Sequence, residues 1–248
     1  MVSGIGGVLY ALAQHDLKRL LAYHSVENIG IITLGLGAGV LGLAWKLPAL
    51  VLLGFGGGLL HVLNHAVFKS LLFFGAGSVI HGSGTRNIEE LGGLFKTARI
   101  TGLCFLIGAA AISGLPPFNG FVSEFYIYFA GISGIGIGAP GPVILAALLM
   151  ASLALIGGLA LACFAKAFGI VFLGEARTEQ AARAHECCWQ MRAPMVVLSL
   201  LCILIGMLAP LTVELISPAV NLLSGGKMQL ALPMNEIAVA LVWTVLLL

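Results

Sequence analysis

The sequence predicts an all-α polytopic membrane protein with about five full transmembrane helices plus two partial ones, one helix being broken at Pro116-Pro117. Three observations carry this. Apolar residues make up 60% of the 248 and charged residues only 9%, against about 25% charged in a soluble domain. Mean hydropathy is +1.09, and uncharged runs long enough to cross about 30 Å of hydrocarbon recur along the chain. The basic residues, finally, gather on alternate connections between those runs, as the positive-inside rule requires. The same composition excludes other classes. A net charge of +2 without a dense basic cluster leaves no footprint for nucleic acid. Residues 1–14 lack the basic start and small-residue cleavage site of a signal peptide.

Met1 to Ala13 is uncharged and reads as the second half of a spanning helix. The polar turn Gln14-His15-Asp16-Leu17-Lys18-Arg19 follows, with Asp16, Lys18 and Arg19 as an interfacial anchor. The next span runs from about Leu20 to Gly39, and the one after it from about Leu47 to Ile80. That second run is too long for a straight crossing, so its Gly56-Gly57-Gly58 triplet is expected to mark a bend, a tilt or an irregular start. A polar loop covers His81 to Lys96. The broken span covers about Arg99 to Ile132 and ends in a Gly/Pro-rich connection, Gly134 to Pro142. A span from Val143 to Leu173 leads into the most hydrophilic segment, Glu175 to Arg192, and a further span covers Ala193 to Leu215. Ile237–Leu248 reads as a partial last span, so the sequence is expected to be a fragment of a longer protein. Lys18, Arg19, Arg86, Lys96, Arg99, Lys166, Arg177, Arg183 and Arg192 fall on one side; Lys46 and Lys227 fall on the other, and Lys69 lies within a span. The side of Lys18 and Arg19 is therefore cytoplasmic.

The broken span carries Ser113-Gly114-Leu115-Pro116-Pro117-Phe118-Asn119-Gly120-Phe121-Val122-Ser123-Glu124. The prolines remove two backbone donors, and Gly114 and Gly120 loosen the backbone on either side. No charge separates Arg99 from Glu124 or Glu124 from Lys166. An acid just past a helix break, deep in an apolar run, marks a functional site; the alternative is a proline kink whose glutamate reaches an interface. A second constellation is His61, His65 and Lys69, which stack at i, i+4 and i+8 on one helical face over about 12 Å. Three ionisable groups in that register suit a proton relay. Neutral packing histidines with a snorkelling lysine, or haem ligation, are the other readings. Lys69 and Glu124 are expected to share one hydrated file. His24 and Glu27, an i, i+3 pair in the preceding span, either extend that file toward the cytoplasm or simply satisfy neighbouring polar groups. His185, Cys187 and Cys188 do not make a convincing metal site, because vicinal cysteines are awkward co-ligands. No cysteine pattern fits an iron–sulfur centre. Neither a nucleophile–base pair nor a dinucleotide fingerprint is present, so no catalytic residue, cofactor or metal is assigned.

The motifs Gln14 to Tyr23, His61 to Lys69, and Gly114-Leu115-Pro116-Pro117 to Glu124 together resemble the antiporter-like membrane subunits. Respiratory complex I, Mrp-type cation/proton antiporters and the membrane-bound group 4 [NiFe] hydrogenases share these subunits. The wording His24-Ser25-Val26-Glu27-Asn28-Ile29-Gly30 and Phe118 to Glu124 is similar to the hydrogenase-4 and formate hydrogenlyase branch. By that resemblance His61, His65 and Lys69 match the central relay, and Glu124 matches the terminal group of the second broken helix. The family's glutamate–lysine pair on earlier helices has no counterpart after Met1. The resemblance thus implies that residues 1–173 are the second half of a proton-channel module, 174–192 a cytoplasmic loop and 193–248 C-terminal transmembrane helices. It further implies a prokaryotic cell (inner) membrane location and translocation of protons or Na⁺. The implied partners are the lipid bilayer, other membrane subunits and a hydrophilic hydrogenase or dehydrogenase arm. A non-conducting membrane anchor of such a complex is the rival from another class.

Overall fold

The computed structural model describes residues 1–136 and 138–225. Lys227 and the expected partial span Ile237–Leu248 lie outside the described residues. In chain order the helices are α1 (Val2–Leu12), α2 (Leu17–Trp45), α3 (Pro48–Ser83), α4 (Arg99–Ile112), α5 (Asn119–Ile135), α6 (Pro140–Phe172), α7 (Glu179–Ala182), α8 (Trp189–Met207) and α9 (Ala209–Leu223). Four of them, α2, α3, α6 and α8, are long and apolar enough to cross a membrane. Helices α4 and α5 make a fifth crossing in two pieces, as the prolines require. The apolar surface left outward on α6 and α8, such as Ile144, Leu148, Leu155, Leu200 and Leu204, suits a lipid-facing wall.

Two expectations change. The Gly56-Gly57-Gly58 triplet marks no bend, because α3 runs unbroken for 36 residues. Its glycines instead admit neighbouring helices. A Cβ on Gly58 would come within 3.0 Å of the Leu36 nitrogen, and one on Gly57 within 2.7 Å of the Ile127 side chain on α5. With Gly54 against Gly39, and Gly35 against Gly58, they form a seam of small residues along which α2 and α3 close to backbone contact. A length of about 54 Å at 1.5 Å per residue then fits a helix that tilts or projects beyond the hydrocarbon. The expected span Ala193–Leu215 is likewise not one helix. It divides at Leu208, where α8 closes with Leu208 N–H donating to Leu204 and Pro210 opens α9.

The helix ends on the Asp16 side are tied by polar groups. Asp16 caps α2 by accepting from the N–H groups of Lys18 and Arg19 at 3.0 and 3.1 Å and pairs with Arg86 Nε at 2.7 Å. Backbone bonds from Leu17 N–H to Arg86 and from Ile88 N–H to His15 close the same staple. Asp16 is therefore a cap and loop clasp as well as the anchor expected. The 175–192 segment folds back over the loop after α3. Arg177 donates to the Leu91 carbonyl and Thr178 to that of Glu90, while Glu186 accepts from the Ile100 N–H at the start of α4. Beneath this cap lies the largest apolar core, built on Leu17, Leu20, Phe68, Leu72, Phe105, Phe164 and Phe172.

Two outcomes follow from this arrangement. In a Cys188→Ser background, cysteines placed at 86 and 183 label with a membrane-impermeant thiol reagent from the cytoplasmic side, and a cysteine at 46 labels from the other; shared labelling of 46 and 86 removes the span assignment. Replacing Gly54 by Leu drives a side chain into the α2 backbone and lowers stability by about 1–3 kcal/mol, measured by unfolding in mixed micelles; an unchanged midpoint would contradict the seam.

Candidate ion pathway

The break is built by a Schellman-type ending. Helix α4 stops at Ile112, Gly114 takes a left-handed φ of 64°, and the N–H groups of Leu115 and Gly114 return to the carbonyls of Ala110 and Ala111. Those two bonds satisfy carbonyls that a helix end would otherwise leave bare in lipid. Helix α5 restarts at Asn119, whose side chain accepts from the Gly120 N–H at 3.1 Å. A side chain on Gly120 would collide with the Ala111 carbonyl, and one on Gly206 of α8 with the Pro117 carbonyl. The break is thus packed under α8 on one side, with Pro116 and Pro117 half-buried and Leu115 turned outward. Gly114 has a second use: a Cβ there would sit 2.6 Å from Glu124 Oε2. The acid lies against the break, and its carboxylate borders an open cleft of about 330 Å³. Ser113, Gly114, Tyr128, Gly157 and Gly158 help line that cleft.

Across from the break, α2 and α3 run antiparallel with their polar residues facing. His61 is fully buried and bonded on both sides: Nδ1 meets Ser123 Oγ at 2.8 Å and Nε2 meets Asn28 Oδ1 at 3.0 Å. Asn64 donates to Ser123 Oγ at 3.0 Å and to the Asn119 carbonyl at 2.7 Å. Asn28 donates to the His24 carbonyl. One hydrogen-bonded chain therefore joins the start of α5 to α2 through α3. Two turns along α3 toward the cytoplasm, Lys69 is 6% exposed. Its Nζ donates to the Leu21 carbonyl of α2 and lies 5.6 Å from the Phe73 ring centre. His65, between them, is half-buried with Nε2 unpartnered and its ring edge-on to Phe68 at 5.7 Å.

The structure thus brings His61, His65 and Lys69 to the inward face of α3 and sets Glu124 beside Ser123, which bonds His61. It does not bring Lys69 to Glu124: among the described residues no ion pair joins them. The Glu27 carboxylate of α2 is instead in contact with His24. Asn28, Asn64, Asn119 and Ser123 are the residues that a search for ionisable groups passes over. An amide inside an apolar run was the available signal, since a buried amide has to find partners. Cys187 is buried while Cys188 is exposed, so the vicinal pair does not present two thiols to one point.

A bundle of membrane-spanning helices, one of them interrupted beside an acid and with a buried polar file along the inward face of its neighbour, defines the class of antiporter-like transmembrane subunits. A family profile described as NADH:quinone oxidoreductase/Mrp antiporter, transmembrane, matches residues 1–137. The chain is 46% identical over 222 residues to formate hydrogenlyase subunit 3 of Escherichia coli K12, covering 90% of this chain and 36% of that protein. It is 44% identical over 213 residues to hydrogenase-4 component B of the same organism, covering 84% and 31%. The chain spans about a third of the length of these relatives. Among solved structures, the Mrp complex from Dietzia sp. DQ12-45-1b superposes with a TM-score of 0.69 at 22% identity, over 96% of this chain and 47% of that one. Respiratory complex I from Thermus thermophilus superposes at 0.65 and 25% identity, over 90% and 43%. This chain belongs to the NADH:quinone oxidoreductase/Mrp antiporter transmembrane family.

Replacing Asn28 by Leu strips His61 Nε2 of its partner and costs about 1–3 kcal/mol of stability. The double change Asn28→Leu with His61→Leu removes both polar groups and recovers part of that loss. Additive losses in thermal unfolding of the purified protein would argue against the pairing.

Proposed function

We propose that this chain is the second half of a proton-conducting module, with Na⁺ as the other candidate ion, in a membrane subunit of a respiratory-type oxidoreductase complex. A group 4 [NiFe]-hydrogenase or formate hydrogenlyase is the complex the relatives favour. The supporting observation is the buried file itself. Hydrocarbon penalises every unsatisfied polar group by several kcal/mol, yet α2, α3 and α5 turn His61, Asn28, Asn64 and Ser123 toward one another, and α3 buries Lys69 two turns away. A bundle that served only to anchor could meet its packing needs with Leu and Gly.

In this reading His61, His65 and Lys69 carry the proton along α3, and Glu124 receives or releases it at the cleft beside the break. The broken helix made by Gly114, Pro116, Pro117 and Gly120 does two things for that acid. It leaves a Cβ-free surface where the carboxylate rests, and it breaks the continuous ladder so that water and protein dipoles can reach mid-membrane. The chain has no redox chemistry of its own; the energy would come from an electron-transferring arm docked on the cytoplasmic side, with other membrane subunits alongside. Residues 1–173 would be the channel half, 174–192 the cytoplasmic loop and 193–248 the C-terminal helices of a multi-pass protein in the prokaryotic cell (inner) membrane. A stand-alone Mrp-type antiporter or complex I subunit shares the fold and would be told apart by which partners co-purify. A non-conducting anchor is told apart by function. In inverted vesicles carrying the complete complex, Lys69→Ala and Glu124→Gln are each expected to abolish proton uptake per electron while the complex still assembles. Undiminished uptake in both would leave the anchor reading standing.

A further inference from the structure

His24 and Glu27 stand off the α3 ladder, and neither is exposed at all. Three helices wall them in. Gly4 and Gly7 of α1 let that helix lie against the backbone at Glu27: a Cβ on Gly7 would fall 2.6 Å from the Glu27 nitrogen. Helix α6 sets the Phe164 ring 4.5 Å from the His24 ring. Helix α3 supplies Lys69, whose amine holds the Leu21 carbonyl one turn below His24 on α2. Inside this chamber His24 Nδ1 and Glu27 Oε2 touch directly. The outer atoms of the pair, His24 Nε2 and Glu27 Oε1, are buried with no partner among the described residues. Natural structures rarely leave two such atoms orphaned without a reason.

We propose, resting on the reading of the α3 ladder as a conducting file, that His24 and Glu27 form a second proton-binding site that branches from Lys69 toward α6. The step is a proton exchange. The Lys69 ammonium releases a proton through one intervening water to Glu27 Oε1, leaving a neutral amine and a carboxylic acid. In the same exchange the proton already held on Oε2 crosses the shared contact to Nδ1, and the proton held on His24 Nε2 passes to a water on the Phe164 side. One positive charge has then moved through the dyad, and no bond between heavy atoms has changed. Lys69 thereby has an acid partner in the α2 span, where Glu124 alone had been expected.

Two readouts on the complete complex test this. The first is proton uptake per electron in inverted vesicles. Glu27→Gln is expected to reduce uptake to the level of Lys69→Ala, with co-purifying subunits and electron transfer retained. Wild-type uptake in Glu27→Gln, when Lys69→Ala abolishes it, would overturn the branch and leave the ladder intact. The second readout is infrared difference spectroscopy of the purified complex across a pH titration. A protonated-carboxyl band is expected that vanishes in Glu27→Gln and moves in Glu27→Asp, whose shorter side chain retreats from His24. A band unaltered in both variants would also overturn the site. Should Lys69→Ala keep full uptake while the band still follows Glu27, the ladder reading fails and the buried acid site stands. Where Glu27→Gln does not assemble, Glu27→Asp carries both readouts: lowered uptake and a moved band support the site, and wild-type behaviour in both removes it.

Discussion

The close approach of α2 and α3 governs the rest of the bundle. Gly35, Gly39 and Gly42 on one helix meet Gly54, Gly58 and the Val51 backbone on the other. At that separation side chains beyond the seam meet directly across the two helices. His61 reaches Asn28, and Lys69 reaches the Leu21 carbonyl, because the backbones are already held together above them. In a membrane there is little hydrophobic drive to bring two apolar helices together, so small residues and buried hydrogen bonds do this jointly. The polar file is both a consequence of the seam and part of what closes it.

The second constraint is the interruption of the fifth crossing. A helix end in hydrocarbon exposes carbonyls that only protein can satisfy, and the return bonds to Ala110 and Ala111 meet that demand within one turn. Gly114 is required there for its φ and again for the room it leaves to Glu124. The two roles coincide because the residue that lets the chain reverse is also the residue nearest the acid. Gly206 extends the same logic to α8, which can cover the break only because it presents no side chain at that point.

The enclosure of Glu27 depends on helices beyond the α2–α3 pair. Helix α1 comes close enough through Gly4 and Gly7, and α6 closes the chamber with Phe164. At one end of the bundle, Glu186 on the start of α4 and Arg177 on the loop carbonyls tie the connecting segments together.

By itself the sequence determined the membrane class, most of the helical spans, the interruption at Pro116-Pro117 and the alignment of His61, His65 and Lys69. Each of these depends on local chemistry: hydropathy over a window, the missing donors of proline, and the 3.6-residue period of a helix. The tertiary structure decided what local chemistry leaves open. The Gly56-Gly57-Gly58 triplet became a packing surface rather than a bend, since glycine permits both and only a neighbouring backbone chooses between them. The stretch Ala193–Leu215 divided at Leu208, where Pro210 starts a new helix. Asn28 and Ser123 emerged as the partners of His61, and Asn64 as a partner of Ser123, because a hydrogen bond between helices depends on which faces meet, and no spacing within one segment encodes that.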